Sequence, residues 1–282
     1  MEPLKIGRYE ACDLDIEAYH ADKTTISRSS IMEYDKCARK YEALYITKEV
    51  TKEVTKPMLL GSALHTLILE PSTFDDRFIV KNKVDGRTRA GIAYNESFLL
   101  ASAGKMVIDQ ETFDTIHAME EAVKNHLEAS TLVYGNAPVY ERSYIYGDDE
   151  SGVIVKSRPD ILQPNCIVDL KTCARADEFS FAQSMVKNGN HIQGAMVQDA
   201  LFVVDGREDA RSLPVINIAI ETKAPYCIGI YFISQMAIDA GRERYKSVLR
   251  RMKASFESGV YPSYETKEIG LPRWYSVDDD ES

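Results

Sequence analysis

Cysteine is scarce in this chain and shows no pattern. The five residues, Cys12, Cys37, Cys166, Cys173 and Cys227, are odd in number, and no two form a C-x-x-C pair. Such spacing supports neither a disulfide framework nor a zinc site, so free thiols in a reducing compartment are expected. No apolar run approaches the roughly 20 residues of a membrane span. The opening stretch MEPLKIGRYEACDLDIEAYH is acidic and mixed, unlike a signal peptide, and the expected compartment is the cytoplasm. A glycine-rich phosphate loop ending in Lys-Ser or Lys-Thr is also missing, which argues against a nucleotide-using enzyme. Positive charge is in deficit: 34 Lys and Arg against 44 Asp and Glu leave a net charge of −10. Nucleic-acid binders usually carry a basic balance, so this counts weakly against DNA. It does not exclude DNA. Binding uses a local patch, and a carboxylate metal site adds negative charge where a divalent ion later sits.

What is present is an ordinary globular composition, 44% hydrophobic and 28% charged over 282 residues. That length buries a sizeable core. We expect an irregular lead-in over residues 1–24, a single domain over 25–265, and a tail over 266–282 whose DDDES end is solvated. TTISRSSIMEYDKCARKYEALYI reads as one helix, with apolar residues at helical spacing. TKEVTKEVTKP reads as an exposed loop. MLLGSALHTLILEP reads as an apolar helix stopped by Pro71. Residues 75–100 read as a strand plus an exposed loop, and MVIDQETFDTIHAMEEAVKNHLEAS as one amphipathic helix. Then the period shortens. APVYERSYIYGDD, GVIVKSRPDILQ and CIVDLKT read as an antiparallel meander parted by turn residues. EFSFAQSMVKNGNHIQGAMVQDALFVV reads as helices interrupted near Asn188-Gly189-Asn190. Two strands, VINIAIET and YCIGIYFIS, and a long helix with a basic face close the chain. The order implies an α/β (α+β) domain with a central mixed β-sheet flanked by helices.

The chemistry sits in SRPDILQPNCIVDLKT. Strand alternation puts Asp169 and Lys171 on one face, and Asp160 ends the neighbouring strand across a short turn. Two carboxylates so placed repel unless a cation joins them, either the lysine or a divalent metal of the Mg²⁺ or Mn²⁺ kind. Alone the pattern is weak, because chance supplies about one match in a chain this long, and a salt bridge on a hairpin explains it equally well. Two flanking features add weight: His65 in the apolar LLGSALHTLILEP helix, and Gln193 in NHIQGAMVQDALF.

This ordered set resembles the PD-(D/E)XK nuclease superfamily, in its RecB-like branch, and most of all the RecE-type (exonuclease VIII-like) phage and prophage exonucleases. GSALHTLILEP is similar to that family's Gly-x-x-x-His helix with its trailing Leu-Glu-Pro, and RPDIL and IVDLKT to its two acidic strands. The resemblance implies a PD-(D/E)XK nuclease-like core and an Mg²⁺-dependent exodeoxyribonuclease, with Mn²⁺ able to substitute. It implies that His65, Asp160, Asp169 and the carbonyl of Leu170 hold the metal, and that Lys171 orients the attacking water. Glu141, in VYERSYI, is placed like the family's upstream acid; an outward-facing strand charge is the alternative. Gln193 resembles the glutamine of a Gln-x-x-x-Tyr helix, but the tyrosine position is Val197 here. Cys37 resembles the first cysteine of iron–sulfur members, yet the C-terminal stretch YPSYETKEIGLPRWYS has no cysteine, so no cluster is expected.

Further implications are 5′→3′ digestion of double-stranded DNA ends, a RecT-like single-strand annealing partner, a ring-like homo-oligomer, and a bacterial or phage-infected cell. Candidate DNA contacts are Ser27 and Arg28 at a helix N-terminus, Arg87 and Arg89 with Lys83 in the 75–100 loop, and the bases of the last helix. Tyr94 and Phe98 are candidates for stacking on an unpaired base. A nicking or structure-specific endonuclease with the same core, and a non-catalytic DNA-binding module, are the competing readings. The first would cut closed circles, and the second would bind no divalent ion.

Overall fold

Short runs rich in β-branched residues become the central strands, and longer apolar stretches such as MLLGSALHTLIL become helices. The computed structural model describes residues 4–135 and 137–271; the DDDES end lies outside them. Strand β1 (Gly7–Tyr9) and helix α1 (Ile16–Ala21) come first, then α2 (Arg28–Lys36), α3 (Ala38–Tyr41) and a wider helical turn at Glu42–Ile46. After an exposed loop come α4 (Lys56–Leu69), α5 (Phe74–Arg77), β2 (Phe78–Lys81), α6 (Arg89–Ala101), β3 (Met106–Asp109), α7 (Gln110–Asn125) and α8 (Leu127–Tyr134). The strand-rich middle holds β4 (Val139–Tyr140), β5 (Ser143–Gly147), β6 (Ile154–Ser157), β7 (Ile161–Gln163) and β8 (Cys166–Cys173). Helices α9 (Glu178–Asn188) and α10 (Asn190–Asp205), strands β9 (Val215–Glu221) and β10 (Ile228–Ile233), and α11 (Gln235–Ser258) complete it.

The fold is mixed α/β. A five-stranded sheet of order β10-β9-β8-β7-β4 forms the centre. Strands β8 and β9 run parallel and the other pairs antiparallel. As inner strands buried on both faces, β8 and β9 need near-continuous apolar runs rather than alternation, and CIVDLKTC and VINIAIE supply them. One face packs Ile167 and Val215 against α2, α10 and α11. The other packs Val168, Leu170, Ile216, Ile218 and Ile220 against α4, α7 and α8. Each fully buried aliphatic side chain contributes about 1.5–3 kcal/mol of transfer free energy.

The expected single meander is in fact divided between two sheets. Strands β5 and β6 pair with each other and, through β1, make a separate three-stranded sheet, while β4, β7 and β8 belong to the central one. The chain changes sheet twice, at Glu141-Arg142 and at Arg158-Pro159. Proline removes a ladder donor at the second change, and Glu141 takes a left-handed backbone (φ 49°) at the first.

Other expectations are corrected too. The lead-in is not irregular: β1 pairs with β5, and the Lys156 ammonium donates to the Tyr19 and Asp22 carbonyls. Those contacts lie more than a hundred residues apart, beyond the reach of local periodicity. The first long helix breaks at Cys37, whose backbone is extended (φ −168°, ψ 115°). Residues 89–101, expected as loop, form α6, capped by Thr88. Residues 106–109 form a strand paired with β2 before the amphipathic helix begins. The interruption between α9 and α10 falls at Gly189, which takes the left-handed conformation (φ 70°) with the Met32 sulfur where a Cβ would go.

Candidate active site

Helix α4 brings His65 to the sheet. A Cβ at Gly61 would meet Thr172 Oγ1 of β8 at 3.3 Å, so the glycine lets the helix lie close across that strand. His65 is one turn further along the same helix face. Its Nε2 lies 3.0 Å from the Leu170 carbonyl oxygen and its Nδ1 3.6 Å from Asp160 Oδ2. In the tautomer protonated on Nε2, that N–H donates to Leu170 and the Nδ1 lone pair faces Asp160.

The two sheet changes deliver the acids. Tyr140 pairs with Ile161, and the next residue, Glu141, donates its N–H to the Asp160 carbonyl at 3.1 Å. Asp160 Oδ2 accepts from the Leu170 N–H at 2.7 Å, which fixes the carboxylate against β8. Ligand atoms of His65, Glu141 and Asp160 all lie within 4.8 Å of one another. Glu141 and Asp160 are buried. Burial, and then the Asp160 charge, push the Glu141 carboxyl well above the usual range; Arg158 opposes the rise. The outward-facing alternative for Glu141 does not hold.

Asp169 stands beside this triplet. Its Oδ1 accepts from Gln193 Nε2 at 2.8 Å. The Lys171 ammonium lies against its Oδ2 as an ion pair, but that oxygen has no aligned hydrogen bond. Lys171 also reaches Gln193 Oε1 at 3.4 Å. Burial, and then the Asp160 charge, raise the Asp169 carboxyl to about 6, with Lys171 pulling the other way. Gln193 is brought in by Gly194, where a Cβ would meet Val215 at 2.9 Å and Ile238 at 2.8 Å, so α10 sits tight on β9 and α11.

The donor set fits a divalent ion of the hard kind. Two buried carboxylates and an imidazole lone pair converge with few donors among them, which is unfavourable without a cation. Oxygen-rich sets with one histidine suit Mg²⁺ or Mn²⁺.

Residues 27–269 match the family described as a PDDEXK-like domain of unknown function (DUF3799). The chain belongs to that family. Pro159-Asp160 and Asp169-Leu170-Lys171 spell its PD…(D/E)XK pattern. A search of the curated proteins finds no match. Among solved structures, a candidate exonuclease from Eubacterium rectale is 15% identical with a TM-score of 0.63, covering 91% of this chain and 96% of that one. At that identity the likeness speaks for the fold. A second structure, SSO0001, is 13% identical over 82% of this chain and 81% of that one, with a TM-score of 0.33, and carries no weight. Family membership supports a nuclease, and PDDEXK nucleases generally use divalent metal ions.

The other candidates separate. The Ser27 side chain is occupied as a helix cap, accepting from Ser30 N–H, and the Arg28 guanidinium donates to the Asn188 carbonyl. Arg87 and Arg89 are exposed at the start of α6. The bases of α11 are largely engaged: Arg242 with Asp199 and Asp239, Arg244 and Arg251 with Asp35, Lys246 with Asp149 and Glu150, and Arg250 with Glu150. Tyr94 and Phe98 stack on each other, ring centroids 5.7 Å apart. Val197 is buried in the core, so the position one turn after Gln193 is aliphatic, and Cys37 is buried. Among the described residues no helix is long and apolar enough to cross a membrane.

Sequence reasoning missed Arg158. It is buried, its Nε donates to Ser143 Oγ, and its guanidinium stands 4.6 Å from the Tyr19 ring centroid while opposing the Glu141 charge. The signal was available: a second charge beside the Pro-Asp pair at the end of an apolar strand.

Proposed function

We propose that this protein is a metal-dependent exodeoxyribonuclease of the RecE type, digesting linear duplex DNA 5′→3′ to leave 3′ single strands for recombination. The observation that carries the nuclease reading is the convergence of His65, Glu141 and Asp160 within 4.8 Å beside the Asp169–Lys171 pair. His65, Glu141, Asp160, Asp169 and the Leu170 carbonyl would hold the ion. When bound, a divalent ion supplies Lewis acidity and neutralises charge on the phosphate. Lys171, tethered between Asp169 and Gln193, would orient the attacking water and stabilise the phosphate oxygen that gains charge; an ammonium already held in place costs little reorganisation in the transition state. Gln193 keeps Asp169 and Lys171 in register.

Polarity, the RecT-like annealing partner, a ring of subunits and the cytoplasmic setting rest on the resemblance of GSALHTLILEP, RPDIL and IVDLKT to RecE-type enzymes. A ring would also reconcile the net charge of −10 with DNA, by gathering bases in the channel. The test is digestion of 5′-labelled and 3′-labelled linear duplex with Mg²⁺ beside a closed-circle control. Early loss of the 5′ label with intact circles is expected. Cutting of circles would replace this reading with an endonuclease, and no cleavage with Mg²⁺ or Mn²⁺ would end it.

A further inference from the structure

Beside Asp169 lies a cavity of about 10 Å³ lined by Pro159, Asp169, Asn190, Gln193, Asn217 and apolar side chains including Ile167 and Val197. Asn217 is the one polar residue in the apolar run VINIAI of β9, and it pairs in register with Asp169 on β8. Asn190 opens α10, next to Gly189. Asn217 is 1% exposed, Asn190 3% and Asp169 5%. Two of them carry a buried oxygen with no hydrogen bond, Asn217 Oδ1 and Asn190 Oδ1, while Asp169 Oδ2 has only the Lys171 ammonium against it. An unsatisfied buried polar group costs about 1–3 kcal/mol. Two such oxygens and a carboxylate at one small cavity, inside a close-packed core, call for a common partner.

Resting on the nuclease reading above, we infer that this cavity is a binding site for one ordered water molecule, and that Asn217 and Asn190, through that water, are positioning residues for Asp169. The volume matches one water, which needs about 10–15 Å³ and two to four polar partners. A water donates two hydrogen bonds to two of the three oxygens and accepts one from an amide N–H, a combination a bare cation cannot make. A divalent ion would also need about six oxygens at 2.0–2.6 Å. The water adds to the hold of Gln193 and Lys171 on Asp169, so the carboxylate keeps one rotamer while it serves Lys171 and the metal. Outer partners of this kind typically change metal affinity or activity by about 10–100-fold.

The test uses the whole chain with Mn²⁺ as the probe. A crystal structure should show one peak in the cavity at about 2.7–3.2 Å from its oxygens. Asn217→Val, which fills the space without polar atoms, should lower Mn²⁺ affinity in calorimetry by about 10–100-fold. Asn217→Ser, which keeps a hydroxyl and room for water, should recover most of it. Melting curves confirm that each variant is folded; if Asn217→Val does not fold, Asn190→Ala and Asn217→Ser carry the same comparison. An empty cavity in the wild type, a peak with cation distances, or equal Mn²⁺ affinity in the folded variants overturns the inference. Absence of Mn²⁺ binding by the wild type would instead overturn the nuclease reading beneath it.

Discussion

Helix α10 and strand β8 each bury an aspartate, and the two are treated in opposite ways. Asp199 is 2% exposed and fully matched: it accepts from Arg211 at 3.0 Å, from Arg242 at 3.1 Å, and from the Tyr245 hydroxyl. That carboxylate ties α10 to α11 and to the turn at Ala210–Ser212. Asp169 is 5% exposed and under-matched, with one amide donor and one lysine, a second acid nearby, and a carboxyl raised to about 6. Buried charge with complete partners holds a structure together. Buried charge with missing partners is held by the structure for something else. The contrast separates the fold-keeping end of the domain from the end built to receive a cation and a phosphate.

The largest effects should fall on opposite sides of that divide. Asp160→Ala and Asp169→Ala should abolish Mg²⁺-dependent cleavage while melting temperatures stay level or rise, because an under-matched buried charge has gone, and Lys171→Ala should cost about 10²–10³-fold or more in rate. Asp199→Ala should do the reverse. Leaving Arg242 and Tyr245 without their acceptor costs about 3–5 kcal/mol, with Mn²⁺ affinity of the folded fraction unchanged. Normal digestion by Asp169→Ala would refute the site assignment. A stable Asp199→Ala variant would erase the distinction between the two aspartates.

A smaller effect appears with pH. The folded-state carboxyl of Asp169 lies at about 6, against 3.8 for the ordinary group. Between these values the folded chain binds more protons than the unfolded one, so stability falls as pH rises from about 4 to about 6. Glu141, raised for the same reason, adds to the slope. A divalent ion replaces those protons. Mn²⁺ should therefore raise the melting temperature more at pH 7.5 than at pH 5, and Asp169→Asn should flatten the metal-free slope. A metal-free protein that grows more stable over this window would contradict the burial argument.

The same contrast explains what could be read from the residues. Asp169 and Lys171 were legible as an i, i+2 pair on one strand face and Asp160 as an acid beside a turn, whereas His65 and Gln193 drew notice through the resemblance to the PD-(D/E)XK family rather than through a local rule. The central strands were legible because they are apolar and bounded by turns. Glu141 stayed ambiguous because its role depends on a change of sheet, and periodicity shows a strand's period, not which sheet it joins. The lead-in was misread because its order comes from Lys156 and Arg158, far along the chain. The basic face of α11 was overvalued because its acid partners, Asp35, Asp149 and Glu150, lie on other elements.

That last point gives the smallest prediction, and it extends the comparison from buried to exposed charge. Arg244 and Arg251 already share Asp35, at 2.7 and 2.5 Å, so much of their charge is answered within the chain. Arg87 and Arg89 stand exposed beside Lys83 at the start of α6. A base that contacts a phosphate releases condensed counterions, and each contact adds about 0.9 to the slope of log affinity against log salt. Arg87→Ala with Arg89→Ala should weaken binding to linear duplex several-fold and reduce that slope by about 1–2, with Mn²⁺ affinity and melting temperature unmoved. Arg244→Ala with Arg251→Ala should leave the slope nearly as it was. If the α11 pair flattens the slope and the α6 pair does not, DNA runs along α11, and the ion pairs with Asp35 must open to receive it.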